Sequence, residues 1–159
     1  MLSLEFSNRQ TTLVVDTDVW KLVLTELFRD EGIDRGEISI SIVDDPEIHT
    51  LNRQYLHHDY ATDVLSFLLG RHEGELYGEI VVSAQMARAR AAEFGWQAVD
   101  ELIWYAIHGA LHLVGYDDKS PTERERMWQR ETHYLRRLGL TIPAGAPAVR
   151  RDNVASQES

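Results

Sequence analysis

Residues 97–118 read QAVDELIWYAIHGALHLVGYDD, and they give the strongest indication of how the chain folds. Apolar side chains recur in this stretch at helical spacing and form one broad stripe: Leu102, Ile103, Ala106, Ile107, Ala110 and Leu111. A helix with so wide an apolar face is expected inside a domain, with other elements packed around it. The stretch therefore predicts a central helix from about Gln97 to Val114.

Four segments outside this helix have the patterns of β-strands. Alternating apolar residues in LSLEFSN (2–8) and EISISIV (37–43) predict two strands that each bury one face. The segments DVLSFLL (63–69) and LYGEIVV (76–82) predict two more strands. The glycine-bearing loop GRHEGE between them suits a hairpin.

Four further helical patterns accompany the strands, and their predicted bounds are Asp18 to Glu31, Asp45 to Tyr55, Ser83 to Gly95, and Ser120 to about Gly139. Asp16 or Thr17 is the expected N-cap of the first, and Ser120 to Glu123 form a capping box for the last. These elements predict one α+β domain, residues 1–142, with a four-stranded mixed sheet packed against about five helices. Residues 143–159 are small, polar and aperiodic, which predicts a disordered tail.

The composition narrows the classes of function. The 159 residues are 43% hydrophobic and contain no membrane-length apolar run and no secretory signal pattern, so a cytoplasmic domain is expected. The chain has no cysteine, and any transition-metal site must therefore use His, Asp or Glu. The net charge of −10 excludes a generally basic nucleic-acid-binding surface, so a phosphate-rich partner needs a local cationic cleft or a metal ion.

The stretch HGALHLVGYDD (108–118) has the spacing of a metal site. Residues four apart lie on one helix face, so His108 and His112 project toward a common point. Gly115 tolerates the left-handed backbone that reverses a chain, and the reversal brings Asp118 back as a third ligand. The fourth position of the ion is left for water.

Other interpretations of the same residues stay open at this point. The two histidines can simply be hydrogen-bonded core residues of an apolar helix. The spacing is shared with metzincin proteases, although Gly109 stands where those enzymes have their general-base glutamate. Two histidines and a carboxylate also bind iron in non-haem oxygenases, whose ligands normally come from strands at other spacings.

Three blocks of the sequence resemble the YbeY family of bacterial rRNA maturation endoribonucleases. HGALHLVGYDD matches the family signature HGxLHLxGYDH at every position except the last. The family's N, Y and TDVLSF pattern is similar to Asn52, Tyr55 and the segment 62–67, and YGEIVVS (77–83) is similar to a family strand. The resemblance covers roughly residues 1–140.

The resemblance implies a single-strand-specific, metal-dependent endoribonuclease that acts in maturation of the 16S rRNA 3′ end and in ribosome quality control. It implies one zinc ion per chain, or another divalent ion, bound by His108, His112 and Asp118. The catalytic group is then expected to be water activated by the ion, since the sequence identifies no general base. Single-stranded rRNA and ribosomal particles are the implied partners, with no membrane and no DNA.

The chain departs from the family in two places. Asp118 replaces the usual third histidine, which keeps a ligand but adds negative charge and should make the bound water less acidic. Leu56 replaces an arginine that follows the family tyrosine, and His58 replaces a lysine. Arg53, His58 and Ser66 are weaker candidates for substrate binding. The loss of the arginine leaves open a non-catalytic ribosome-assembly factor with a structural metal.

Overall fold

The computed structural model describes residues 1–58 and 60–144, which form four strands and five helices. Their bounds are β1 (Leu2–Asn8), α1 (Thr17–Asp30), β2 (Arg35–Val43), α2 (Asp45–Leu56), β3 (Val64–His72), β4 (Glu75–Ser83), α3 (Ala84–Phe94), α4 (Ala98–Leu113) and α5 (Pro121–Arg137). The predicted α+β class, with a four-stranded mixed sheet and five helices, is confirmed.

The four strands form one sheet in the order β1-β2-β4-β3. β1 pairs parallel with β2, and β2 pairs parallel with β4. β3 pairs antiparallel with β4, which confirms the predicted hairpin, and an irregularity in register falls between Leu68 and Gly70. β2 and β4 are thus the central strands, and β3 is an edge strand beside α4.

The sheet buries apolar side chains on both faces. Ile38, Ile40 and Ile42 of β2 enter the main core together with the apolar residues of α1, α4 and α5. The opposite face of the sheet carries a smaller apolar cluster of Val43, Ile48, Leu65 and Val81. The partly buried side chains that pack against this cluster are Leu51, Leu56, Ala61 and Phe67. Because successive strand residues point to opposite faces, α2 covers the face opposite to α4.

Helix α4 lies at the centre, as its apolar stripe predicts. Every residue from Glu101 to Leu111 is buried, and the helix contacts α1, α3, α5, β3 and β4. The predicted caps also form: Asp16 accepts a hydrogen bond from the Asp18 amide, and Ser120 and Glu123 make a reciprocal capping box. A helix buried to this degree holds its side chains in fixed positions, which suits it to carry a site.

The hairpin is longer than the sequence patterns predict. β3 extends to His72 and β4 begins at Glu75, so the connection shrinks to Glu73 and Gly74. The side chains of Leu68, Leu69, Arg71 and His72 are exposed, and apolar alternation therefore stops before the strand does. Backbone pairing with β4 continues past that point and sets the actual bounds.

Two further predictions concern regions outside the core. The tail predicted to be disordered, residues 143–159, lies outside the described residues from 145 onward. Among the helices that are described, none has the length and apolar character required to cross a bilayer.

Candidate metal centre

Helix α4 places the two motif histidines on adjacent turns of one face. Their ring centroids are 4.7 Å apart with the planes at 76°, and the Nε2 atoms lie 3.1 Å from each other. His108 is 3% exposed, and the side chain of His112 is 6% exposed. Both rings therefore direct one nitrogen each toward the same small, nearly dry volume.

The turn after α4 closes as the glycine predicts. Gly115 has φ = +108°, its amide donates to the His112 carbonyl, and the Tyr116 amide donates to the Leu111 carbonyl. This pair of hydrogen bonds is the Schellman arrangement, in which a left-handed residue ends a helix and reverses the chain. The reversal returns Asp118 to the Nε2 side of the two histidine rings.

Asp118 completes a compact set of three ligand atoms. Its Oδ2 lies 3.5 Å from His108 Nε2 and 3.4 Å from His112 Nε2. These three residues are one of two described groups whose His or carboxylate atoms all lie within 4.8 Å of one another. The structure thus brings together the three residues that the sequence motif predicts.

Two properties of the Asp118 carboxylate suit it to bind a cation. Oδ2 is buried and accepts no hydrogen bond, although a buried acceptor is normally paired. Burial alone raises the pKa of this carboxyl, but the His108 and His112 rings outweigh burial and hold its pKa below its usual range. The side chain is therefore ionised at neutral pH and has an unused lone pair directed at both rings.

Glu131 of α5 is a component of the site that the sequence motif does not predict. Its Oε2 lies 2.6 Å from His108 Nδ1, and its Oε1 accepts a hydrogen bond of 2.5 Å from the Trp104 indole nitrogen. Glu131 is 3% exposed and shares its helix face with Met127, Tyr134 and Leu135. A glutamate at a position where helical spacing demands an apolar residue is the signal that identifies it.

Gly109 and Ser66 fix the distance between α4 and the sheet. A Cβ atom on Gly109 would lie 2.9 Å from Ile80 Cγ2, 2.9 Å from Ser66 Oγ and 3.1 Å from Val64 Cγ2. The Ser66 hydroxyl donates to the Gly109 carbonyl at 3.0 Å. Ser66 is 1% exposed, so it anchors the helix backbone next to His108.

The other residues predicted to bind substrate lie on or after α2. Arg53 is exposed on that helix, and His58 follows its end with its ring stacked on Tyr60 at 5.5 Å. Helix α2 packs on the face of the sheet opposite to α4. Leu56 packs on the smaller apolar cluster, where it replaces the expected arginine.

The second described group that can hold a cation is Glu26, Asp30 and His133. Asp30 and His133 are exposed, and Glu26 forms an ion pair with Arg137 at 2.5 Å. Asp30 also accepts a hydrogen bond from the Tyr134 hydroxyl. These partners account for the carboxylates as ordinary surface groups, and His133 lies at the surface beside them.

Comparison with known proteins adds independent information. A family model described as Endoribonuclease YbeY matches residues 5–139. A protein of Pelotomaculum thermopropionicum named Endoribonuclease YbeY is 40% identical over 146 residues, which cover 85% of this chain and 96% of that protein. One of the same name from Rhodopirellula baltica is 40% identical over 115 residues, 71% of this chain and 59% of that longer protein.

A solved structure supports the same relationship. The solution structure of TM1509 from Thermotoga maritima matches with a TM-score of 0.61 at 29% identity. The match covers 85% of this chain and 87% of the Thermotoga protein. The family match from residue 5 to residue 139 and the 40% identity to a relative covered almost throughout lead to one conclusion: this chain belongs to the YbeY endoribonuclease family.

Proposed function

We propose that this protein is a metal-dependent endoribonuclease specific for single-stranded RNA. We further propose that it acts in the cytoplasm, matures the 3′ end of 16S rRNA, takes part in ribosome quality control and has ribosomal particles as partners. The observation that carries the proposal is the convergence of His108, His112 and Asp118 in a chain of the YbeY family. We propose one zinc ion per chain as the cofactor.

The geometry of the three ligand atoms supports zinc. Zinc bonds to imidazole nitrogen and carboxylate oxygen are about 2.0–2.1 Å long, and the edge of a tetrahedron with such bonds is about 3.3 Å. The three distances between the ligand atoms are 3.1, 3.4 and 3.5 Å. The unpaired Oδ2 of Asp118 gives the same indication, since zinc supplies the partner that a buried carboxylate oxygen requires.

The residues around the ligands limit what the site can do. When bound, zinc supplies Lewis acidity and lowers the pKa of a water ligand, which is the chemistry that phosphodiester hydrolysis requires. Two neutral rings and one carboxylate leave a divalent site with net positive charge, which attracts a phosphate to an otherwise acidic protein. Burial of His108 and Ser66 keeps solvent off the inner side of the ligand cluster, so substrate approaches from the side of His112 and Asp118.

Arg53, His58 and Ser66 take different parts in this proposal. Ser66 serves to hold α4 against the sheet through the Gly109 carbonyl. Arg53 and His58 contact RNA away from the cleaved bond, since α2 lies on the opposite face of the sheet from α4. The stacked rings of His58 and Tyr60 offer an unpaired base an aromatic surface of the kind that single strands favour.

The decisive experiment measures RNA cleavage by the purified protein with and without a chelator. The substrates are a single-stranded 16S precursor segment and the same segment annealed to its complement. We expect cleavage of the single strand only, loss of cleavage with the chelator and recovery on addition of zinc. His108→Ala, purified in parallel, controls for contaminating nuclease. Cleavage that persists in His108→Ala would refute the proposal.

A second candidate function is a non-catalytic ribosome-assembly factor with a structural metal. Leu56 favours it, because this side chain packs on Val43, Ile48, Leu65 and Val81 where the family arginine would present a charge. In that case zinc would stabilise the protein, and RNA cleavage would be absent at every zinc concentration. A metalloprotease is less well supported, since the site of its general base is Gly109 and a side chain there meets Ile80.

A further inference from the structure

The buried carboxylate of Glu131 contacts two ring nitrogens, one with each oxygen. Trp104 Nε1 donates to Oε1 at 2.5 Å, and His108 Nδ1 lies 2.6 Å from Oε2. Trp104 is 1% exposed and packs edge-on against the rings of Trp96 and Trp128. Glu131 is not among the three residues whose ligand atoms converge, and it contacts His108 through the nitrogen opposite to Nε2.

The indole nitrogen of tryptophan is a donor only, which fixes the role of one Glu131 oxygen. A carboxylate held in this way presents its second oxygen to His108 as an acceptor, so the proton of the ring lies on Nδ1. The other nitrogen of His108, Nε2, lies on the side of His112 and Asp118. That is the nitrogen required to bind a metal ion.

We infer that Glu131 is a positioning residue, which holds His108 in the tautomer and ring orientation that present Nε2 to the cation. Trp104 orients Glu131 in turn and links the ligand cluster to the cluster of indole rings formed by Trp96, Trp104 and Trp128. The inference about the tautomer stands on the apoprotein. Its consequence for zinc affinity rests on the proposed function.

The first test is the tautomer of His108 in the zinc-free protein. Long-range ¹H–¹⁵N correlation spectra of the imidazole rings distinguish a proton on Nδ1 from one on Nε2. We expect a proton on Nδ1 in the wild type, whether or not Nε2 also carries one, and a mixture of forms in Glu131→Gln. Glutamine has one acceptor oxygen and an NH₂ group, so it cannot accept from both neighbours and leaves one of them facing a donor. A wild-type His108 ring with no proton on Nδ1, or an unchanged ring in Glu131→Gln, would overturn the inference.

The second test is zinc affinity, measured by competition with a chromophoric chelator. Loss of an outer-shell partner of a ligating histidine typically weakens metal binding by about 10–100-fold, and we expect a loss in that range for Glu131→Gln. Glu125→Gln is the matched control, because Glu125 is an exposed glutamate on the same helix and the change in charge is identical. Affinity of Glu131→Gln within about twofold of the control would overturn the consequence for zinc.

Trp104→Phe keeps an aromatic ring in the core but removes the indole donor. We expect it to weaken zinc binding less than Glu131→Gln does, and to lower the urea midpoint of the zinc-free protein, because it leaves a buried Glu131 oxygen unpaired and a void beside the ring. It also serves as the second variant should Glu131→Gln fail to fold. Tryptophan emission of the wild type should change on addition of zinc, because Trp104 is hydrogen-bonded to Glu131, which in turn contacts the proposed ligand His108.

The tests separate this inference from the proposed function. A wild type that binds no zinc would refute the metal centre, while the tautomer measurement would still decide what Glu131 does to His108. A wild type that binds zinc, with Glu131→Gln equal to the control, would leave the metal centre intact and refute the role of Glu131.

Discussion

Asp118 stands at the third ligand position, where the family motif has a histidine. A carboxylate is shorter than an imidazole ring, yet the turn at Gly115 brings Oδ2 within 3.4–3.5 Å of both Nε2 atoms. Its buried, unpaired oxygen would be costly in a protein that bound no cation. The substitution therefore changes the charge of the site while it preserves the three-ligand geometry.

The ligand role of Asp118 predicts the effects of two substitutions. Asp118→Ala removes a ligand and should lower zinc affinity by at least about 100-fold, the upper end of the losses seen for outer-shell partners. Asp118→His supplies an imidazole at the same position and should retain one zinc per chain. Metal content after dialysis against a weak chelator measures both. Full zinc occupancy in Asp118→Ala would show that the ligand role is wrong.

Gly109→Ala is expected to destabilise the protein, although replacing a glycine inside a helix by alanine usually stabilises it. Alanine normally stabilises a helix interior by about 1 kcal/mol relative to glycine. Here the added Cβ would meet Ile80 and Ser66 at 2.9 Å, so α4 must move away from the sheet. We expect Gly109→Ala to lower the free energy of unfolding by about 1–3 kcal/mol. Urea denaturation decides the matter, and a gain in stability would show that the helix is not held at this distance.

Sequence reasoning finds the site residues that lie close together along the chain and misses the one that does not. His108, His112 and Asp118 lie within eleven residues, and helix geometry together with one glycine turn relates them. Glu131 comes from the next helix, and its contact with His108 depends on how α5 packs on α4. Spacing along the chain carries no information about that packing, although the apolar stripe of α5 marks Glu131 as anomalous.

At the scale of elements, the sequence predicts best where side-chain pattern and local hydrogen bonds agree. The bounds of α4 and α5 follow from apolar periodicity and from the turn and cap residues beside them. The sequence predicts a longer hairpin loop, because Arg71 and His72 are polar and give no apolar alternation. Their strand conformation comes from backbone pairing with Leu76 and Glu75, which sequence pattern does not encode.

The N-terminal cap of α5 gives a prediction at the same scale. The Ser120 hydroxyl accepts from the Glu123 amide at 3.1 Å, and the Glu123 carboxylate accepts from the Ser120 amide at 3.1 Å. Ser120→Ala should lower the free energy of unfolding by about 1 kcal/mol. Thr122→Ala, an exposed position in the first turn, is the control and should change stability by less than about 0.5 kcal/mol. Equal effects of the two changes in urea denaturation would argue against the cap.

At the scale of the whole molecule, a protein of acidic composition needs a local positive site if it is to bind the proposed RNA substrate. The net charge of −10 opposes association with a phosphate chain, so in the proposed function a divalent ion bound by His108, His112 and Asp118 would supply local attraction. Helix α2, which carries Arg53, packs on the face of the sheet opposite to α4. The proposed ion would therefore both attract the RNA and supply the chemistry.

The proposed metal centre also predicts that bound zinc stabilises the folded protein against unfolding. A ligand that binds only the native state at 100 times its dissociation constant adds about 2.7 kcal/mol to the free energy of unfolding. For a domain of this size that increment raises the melting temperature by roughly 5–10 °C. Protons compete with zinc for the ring nitrogens and the carboxylate, so the increment should shrink as the pH is lowered. Thermal unfolding with zinc and with chelator, at several pH values, measures it. His108→Ala lacks one ligand, so its melting temperature should be the same with zinc and with chelator. If zinc raised the melting temperature of this variant as much as that of the wild type, the stabilising ion would lie elsewhere in the molecule.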